Sequence, residues 1–167
     1  ALTGALVGMT LRTTAAETYR ALVEGTAYGA RAIVERIQSR GVAVNEIVVC
    51  GGIAEKSPMT MQIYADVLNC PLRIARSAQT CALGAALFGA VAGGAFANIA
   101  EAQRNTVGYK ETVYTPNPAA AEVYNKLFSN YMKMHDAFGV KDSNVELYSV
   151  MKELIEIRDA VRKSKSA

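Results

Sequence analysis

The stretch NEIVVCGGIAEKSPMTMQIYADVLNCPLRIAR, residues 45–76, decides the fold. Residues 45–50 form a short β-branched run, which predicts a strand buried on both faces. The run reaches Cys50 and the glycine pair Gly51 and Gly52, and a short polar turn follows. Ser57 is then a good N-cap and Pro58 a good first helical residue. Met61, Ile63, Tyr64, Val67 and Leu68 give that helix its apolar side. PLRIAR, residues 71–76, alternates as a second strand with Pro71 at its first position. Strand, turn, helix and strand in this order predict an α/β chain with a parallel sheet.

Upstream, after the lead-in LTGALVGMTLR, Thr14 opens a capping box with Glu17 three residues on. Tyr19, Leu22, Val23, Ala27, Ala30, Ile33, Val34 and Ile37 recur at helical spacing until Gly41. A helix of roughly 26 residues with one long buried stripe is expected there. Glu24 and Arg31 lie two turns apart beside the stripe and read as a satisfied polar pair. Downstream, a helix starts near Thr80–Cys81, its face made of Ala82, Ala85, Ala86, Gly89 and Ala90. Small residues at that spacing permit close approach of another helix or of a ligand. The remainder reads as two closing helices. Tyr124, Leu127, Phe128, Tyr131, Met132, His135 and Phe138 line the first, and residues 145–161 fill the second. Two short strands need a larger sheet, and no further strand is read in the chain. That imbalance makes it look like the end of a longer α/β protein.

Composition bounds the function. The 167 residues are 51% hydrophobic and 20% charged, with a net charge of +3, which suits one ordinary globular domain. The Ala- and Gly-rich run from Cys81 to Ala100 is too weakly hydrophobic to span a bilayer, and no signal-peptide pattern precedes it. Cys50, Cys70 and Cys81 are an odd, widely spaced set, which reads as reduced thiols in a cytoplasmic protein. Basic residues concentrate only at Arg158, Arg162, Lys163 and Lys165, where they face the negative end of a helix. No basic face with interleaved aromatics is present, so a nucleic-acid partner is not expected.

The chemistry on offer is that of a binding surface. The glycine pair lets a backbone approach a flat or anionic group, and the helix from Ser57 would aim its N–H groups at the same place. The pattern is neither GxxxxGK[ST] nor GxGxxG, and the residues alone leave an ordinary tight turn equally open. Asp66, Asp136, Asp142 and Asp159 read as solvated or capping carboxylates, so no catalytic base is assigned. His135 has no second ligand nearby, no metal spacing occurs, and the serines lack a GxSxG elbow.

The blocks GMTLRTTAAETYRALVEGTAYGAR, VVCGGIAEKSPMTMQIYADV and ALGAA, with the tail YNKLFSNYMKMHDAFG, resemble the C-terminal half of the FGGY family of carbohydrate kinases. Within that family they are most similar to the L-ribulokinase branch, and SAQTCALG, residues 77–84, also follows that branch. The likeness runs over about residues 2–140. It implies residues 1–140 as the C-terminal part of an actin-like (ribonuclease H-like) nucleotide-binding domain, with 141–167 as a helical tail. It implies ATP and Mg2+ as cofactors, phosphoryl transfer to a ribulose hydroxyl in cytoplasmic arabinose catabolism, and a catalytic aspartate positioned before these residues. The sugar would be read by the other domain, and the isolated chain would be inactive. By the same likeness Gly51, Gly52 and Ser57 contact the adenosine part of the nucleotide. The turn carries one residue more than in glycerol and xylulose kinases, and if the insertion is placed differently Lys56 takes the polar role. The ALGAA helix would pack behind the turn. Other readings are another FGGY kinase for xylulose or glycerol, a non-catalytic actin-like association module, and a sensor or chaperone-type ATPase. Self-association is expected from an open sheet edge. No membrane partner is expected.

Overall fold

The computed structural model describes residues 3–164. Its centre is the predicted strand–helix–strand unit. β1 (Ile47–Val49) and β2 (Leu72–Ala75) pair in parallel, Ile47 opposite Leu72 and Val49 opposite Ile74. The connection between them contains α2 (Gly52–Lys56) and α3 (Pro58–Leu68). Leu72 and Ile74 are buried while Arg73 and Ala75 are half-buried, the alternation expected of a strand with one core face. β1 differs from expectation: it lies at the sheet edge, and Val48 is exposed rather than buried.

A third strand, unread in the sequence, is β3 (Tyr109–Tyr114). It pairs antiparallel with β2, Leu72 opposite Tyr114, and completes the order β1-β2-β3. Its residues are almost all exposed, and Lys110 and Glu111 interrupt any apolar pattern, so an edge strand of this kind carries little hydrophobic signal. Lys110 Nζ reaches Glu55 Oε1 at 2.6 Å and ties this edge to α2.

α1 (Ala15–Gln38) is shorter than its apolar spacing suggested, ending before Gly41. Its start is the expected capping box. Thr14 N–H donates to Glu17 Oε2 at 2.8 Å, and Glu17 N–H donates to Thr14 Oγ1 at 3.2 Å. α3 packs on both α1 and α6 (Pro118–Gly139). Ala27, Tyr28, Ile63, Val67, Tyr124 and Phe128 form the core between these helices. Each fully buried side chain of this size contributes about 1.5–3 kcal/mol. The long stripe of α1 is therefore only partly buried: Tyr19, Leu22, Ile33 and Ile37 remain exposed, because α3 and α6 cover one flank.

Glu24 and Arg31 are each satisfied, but not by one another. Glu24 Oε1 accepts from Arg20 Nε and from the Tyr124 hydroxyl, both at 2.8 Å. Arg31 binds Glu35 and Asn125 and lies 4.3 Å from the centre of the Phe128 ring. Burial and the nearby Glu24 carboxylate push the Tyr124 hydroxyl up to about 12.

The small-residue face expected on α4 (Thr80–Ala92) is not a packing face. Leu87 is its one buried residue, and Ala82, Ala85, Ala86 and Gly89 are exposed. α4 packs instead on α5 (Ile99–Thr106), whose Asn98 cap accepts from the Glu101 N–H at 3.0 Å. The last helix, α7 (Val150–Ser164), starts later than predicted and packs on α6 through the Lys133–Glu153 ion pair. Arg162 and Lys163 lie in its last turn, and Lys165 lies outside the described residues.

Candidate functional site

The two adjacent glycines do different things. Gly51 has φ 92° and ψ 174°, a region essentially closed to residues with a side chain, and this turns the chain from β1 into α2. Gly52 begins α2, and a Cβ placed there would meet nothing within 4 Å. Its missing side chain leaves space open.

The polar segment after the pair is helical and not a turn. Glu55 N–H reaches Gly51 O at 3.3 Å, and Ser57 N–H reaches Ile53 O at 3.0 Å. The α3 N-terminus is thus set one short helix away from the glycines, where the sequence suggested a short polar turn. Ser57 closes α2 and caps α3. Its Oγ accepts from Thr60 N–H at 3.3 Å and lies 2.7 Å from Thr60 Oγ1. Such a cap is worth about 1 kcal/mol.

These elements enclose one side of a cavity of about 820 Å³, and α1 encloses the other. Gly52, Lys56 and Ser57 line it together with Ile53, Ala54, Thr60, Met61 and Tyr64. Val49 and Cys50 contribute from the end of β1, and Tyr19, Leu22, Val23 and Thr26 from α1. Three of the four residues proposed from sequence are brought to one place. Gly51 is not in the lining and acts through the backbone turn. Sequence reasoning missed the α1 wall, since Tyr19 and Leu22 were assigned to the buried stripe. Thr80 Oγ1 donates to Cys50 Sγ at 3.3 Å, so α4 stands beside the turn, while Ala82, Gly84 and Ala85 do not enter the cavity.

The lining is mostly apolar, and its one charged side chain is Lys56. Such a space suits a flat, largely apolar group joined to an anionic one. Among the described residues no carboxylate lines it. Asp66 is buried, where a solvated or capping role was expected, and it has a structural task. Its Oδ1 accepts from Gln62 Nε2 and from the Asn117 N–H, each at 2.8 Å, and so fastens the start of α6 to α3. His135 is exposed and contacts Asp136 at 2.9 Å. Among the described residues no three His, Cys, Asp or Glu side chains converge. Among the same residues no helix is long and apolar enough to cross a membrane.

Comparison with known proteins places this geometry. Residues 1–93 match the model of the FGGY family of carbohydrate kinases, C-terminal domain. The chain is 41% identical over 170 aligned residues to the ribulokinase of Geobacillus thermodenitrificans, covering 99% of the chain and 29% of that protein. Against the ribulokinase of Bacillus licheniformis the identity is 45% over 148 residues, 86% of the chain and 27% of the relative. The chain therefore spans less than a third of the length of these relatives. Among solved structures, the ligand-bound xylulose kinase of Lactobacillus acidophilus superposes with a TM-score of 0.74 at 26% identity, covering 84% of this chain and 28% of that one. The gluconate kinase of the same organism gives 0.73 at 26% identity, with the same two coverages. The mixed α/β fold with its small sheet is that of FGGY kinase C-terminal domains, of the actin-like ATPase class. The chain belongs to the FGGY family of carbohydrate kinases.

Proposed function

We propose that the chain contributes the adenosine-binding side of the cleft in an ATP-dependent sugar kinase that phosphorylates L-ribulose. One observation carries this reading: Gly52, Lys56 and Ser57 line a single cavity in a chain 41% identical to a ribulokinase along 99% of its length. In this reading the apolar wall from α1 takes the base and ribose, and Lys56 or the Ser57 hydroxyl meets a polar group of the nucleotide. Phosphoryl transfer depends on alignment and on neutralising charge at the transferred group. These residues supply part of the alignment. In this reading the base for the sugar hydroxyl and the groups that read the sugar belong outside them.

Several finer points belong to the same proposal. Magnesium would arrive with the nucleotide phosphates, and the enzyme would act in the cytoplasm in arabinose breakdown. Residues 1–140 would be the domain segment and 141–167 a tail packed on α6. The β1 edge, free of a second partner among the described residues, would be the place for self-association.

Calorimetric titration of the 167-residue chain with ATP tests the reading. Weak binding is expected, and it should be lost in Gly52→Val, whose Cβ enters open space. Unchanged binding in that variant would remove Gly52 from the site, and no binding by the parent chain would overturn the adenosine role. Ribulose-dependent release of ADP by this chain alone would overturn the assignment of the base to other residues.

A further inference from the structure

Two hydroxyl pairs line the cavity, and they differ in how their protons are placed. In the Ser57–Thr60 pair either oxygen can be the donor, so that pair can offer a ligand a proton or a lone pair. The Tyr64–Thr26 pair has no such freedom. Thr26 Oγ1 donates to the Val23 carbonyl at 2.7 Å, within the same helix. The Tyr64 hydroxyl donates to Thr26 Oγ1 at 3.0 Å. A hydroxyl carries one proton, and in this arrangement each is directed along the relay. Tyr64 therefore presents lone pairs alone to the cavity it lines. The Val23 carbonyl can only accept, which favours this direction along the relay.

A fixed acceptor in a mostly apolar cavity selects a ligand by its donors. We infer that Tyr64 is a specificity-determining residue that accepts a hydrogen bond from the exocyclic amino group of adenine, and that Thr26 is its positioning residue. The inference rests on the nucleotide reading above and goes beyond it by naming the atom that reads the base. Hypoxanthine and guanine carry a carbonyl oxygen at the corresponding ring position. Acceptor would then face acceptor, and a polar group removed from water without a partner is disfavoured. A site built to bond a particular polar group discriminates more strongly than an apolar slot.

The test is titration of the full chain with ATP, inosine triphosphate and purine riboside triphosphate, the last having no substituent at the reading position. The parent chain should bind ATP about fivefold more tightly than purine riboside triphosphate, the value of one neutral hydrogen bond. Its preference over inosine triphosphate should be about tenfold or more. Tyr64→Phe should erase both preferences and leave purine riboside triphosphate binding as it was, which a merely structural role would not do. Thr26→Val should free the tyrosyl proton and raise inosine triphosphate binding toward that of ATP, with helicity checked by circular dichroism in both variants. If ATP binds and the preferences are missing in the parent or persist in Tyr64→Phe, the assignment to Tyr64 is overturned and the nucleotide reading stands. If no nucleotide binds the parent chain, both fall.

Discussion

α3 is packed on two sides with different material. Against α1 and α6 it contributes Ile63 and Val67 to a core rich in aromatic rings, where Tyr28 lies 6.2 Å from Phe128 and 6.3 Å from Tyr124 between ring centres. Toward the sheet it contributes Met61 to a small cluster with Ala54 and Ile74. The first region is closed by large side chains and by a hydrogen-bonded network of Arg20, Glu24 and Tyr124. The second borders the cavity, with Ala54 and Met61 among its lining. The first region is filled by interlocking rings, and the second by fewer and smaller contacts. The two regions meet along α3 and α1, where Val23 and Tyr64 belong both to the margin of the aromatic core and to the cavity lining.

Truncating a ring in the closed region is the severest way to test that division. Phe128→Ala should cost about 3–5 kcal/mol, from lost burial plus the cavity it leaves, measured by urea unfolding. A loss below about 1 kcal/mol would show that the aromatic cluster does not hold the helices together.

The glycine turn gives a smaller and sharper contrast. Gly51→Ala should cost about 1–3 kcal/mol because its backbone conformation is hostile to a side chain. Gly52→Ala should leave stability within about 1 kcal/mol of the parent, since it starts a helix and faces open space. Equal costs at both positions would refute the separate roles assigned to them.

The mildest probe is pH. The Tyr124 hydroxyl is pushed from the ordinary tyrosine value of 10.0 up to about 12 in the folded chain, by burial and by Glu24. Tyr28 is raised as well, with burial the main cause. Between the unfolded and folded values the folded chain holds more protons than the unfolded one. Stability is then full below the unfolded value and falls as pH rises from about 10 to about 12. Tyr124→Phe should flatten part of that alkaline decline in thermal unfolding. A decline unaltered by the substitution would place its origin elsewhere.

Much of the fold was legible in the sequence where its cause is local. The Thr14–Glu17 box, the Ser57 cap before Pro58 and the alternation in β2 act over two to four residues, and each is found as read. α5 carried a readable signal as well, Asn98 with Glu101 three residues on, which the sequence reading passed over. β3 had none, because a polar edge strand takes its shape from the partner it pairs with. Within the site, Gly52, Lys56 and Ser57 were legible through family resemblance and helix-cap chemistry, whereas Tyr64 and Thr26 were not. Their hydroxyls lie 38 positions apart in the chain and meet only because α3 packs on α1.

The sequence by itself determined the succession of β1, α3 and β2, the Thr14 and Ser57 caps, and the need for glycine at a turn after β1. Those follow from torsional preference and short-range hydrogen bonds, which every chain segment carries with it. Only the tertiary structure decided which flank of α1 would be buried, that Asp66 would fasten α6, and that the Tyr64 hydroxyl would donate to Thr26. The burial of a side chain and the direction of its proton depend on what is packed beside it, and no residue carries that information alone.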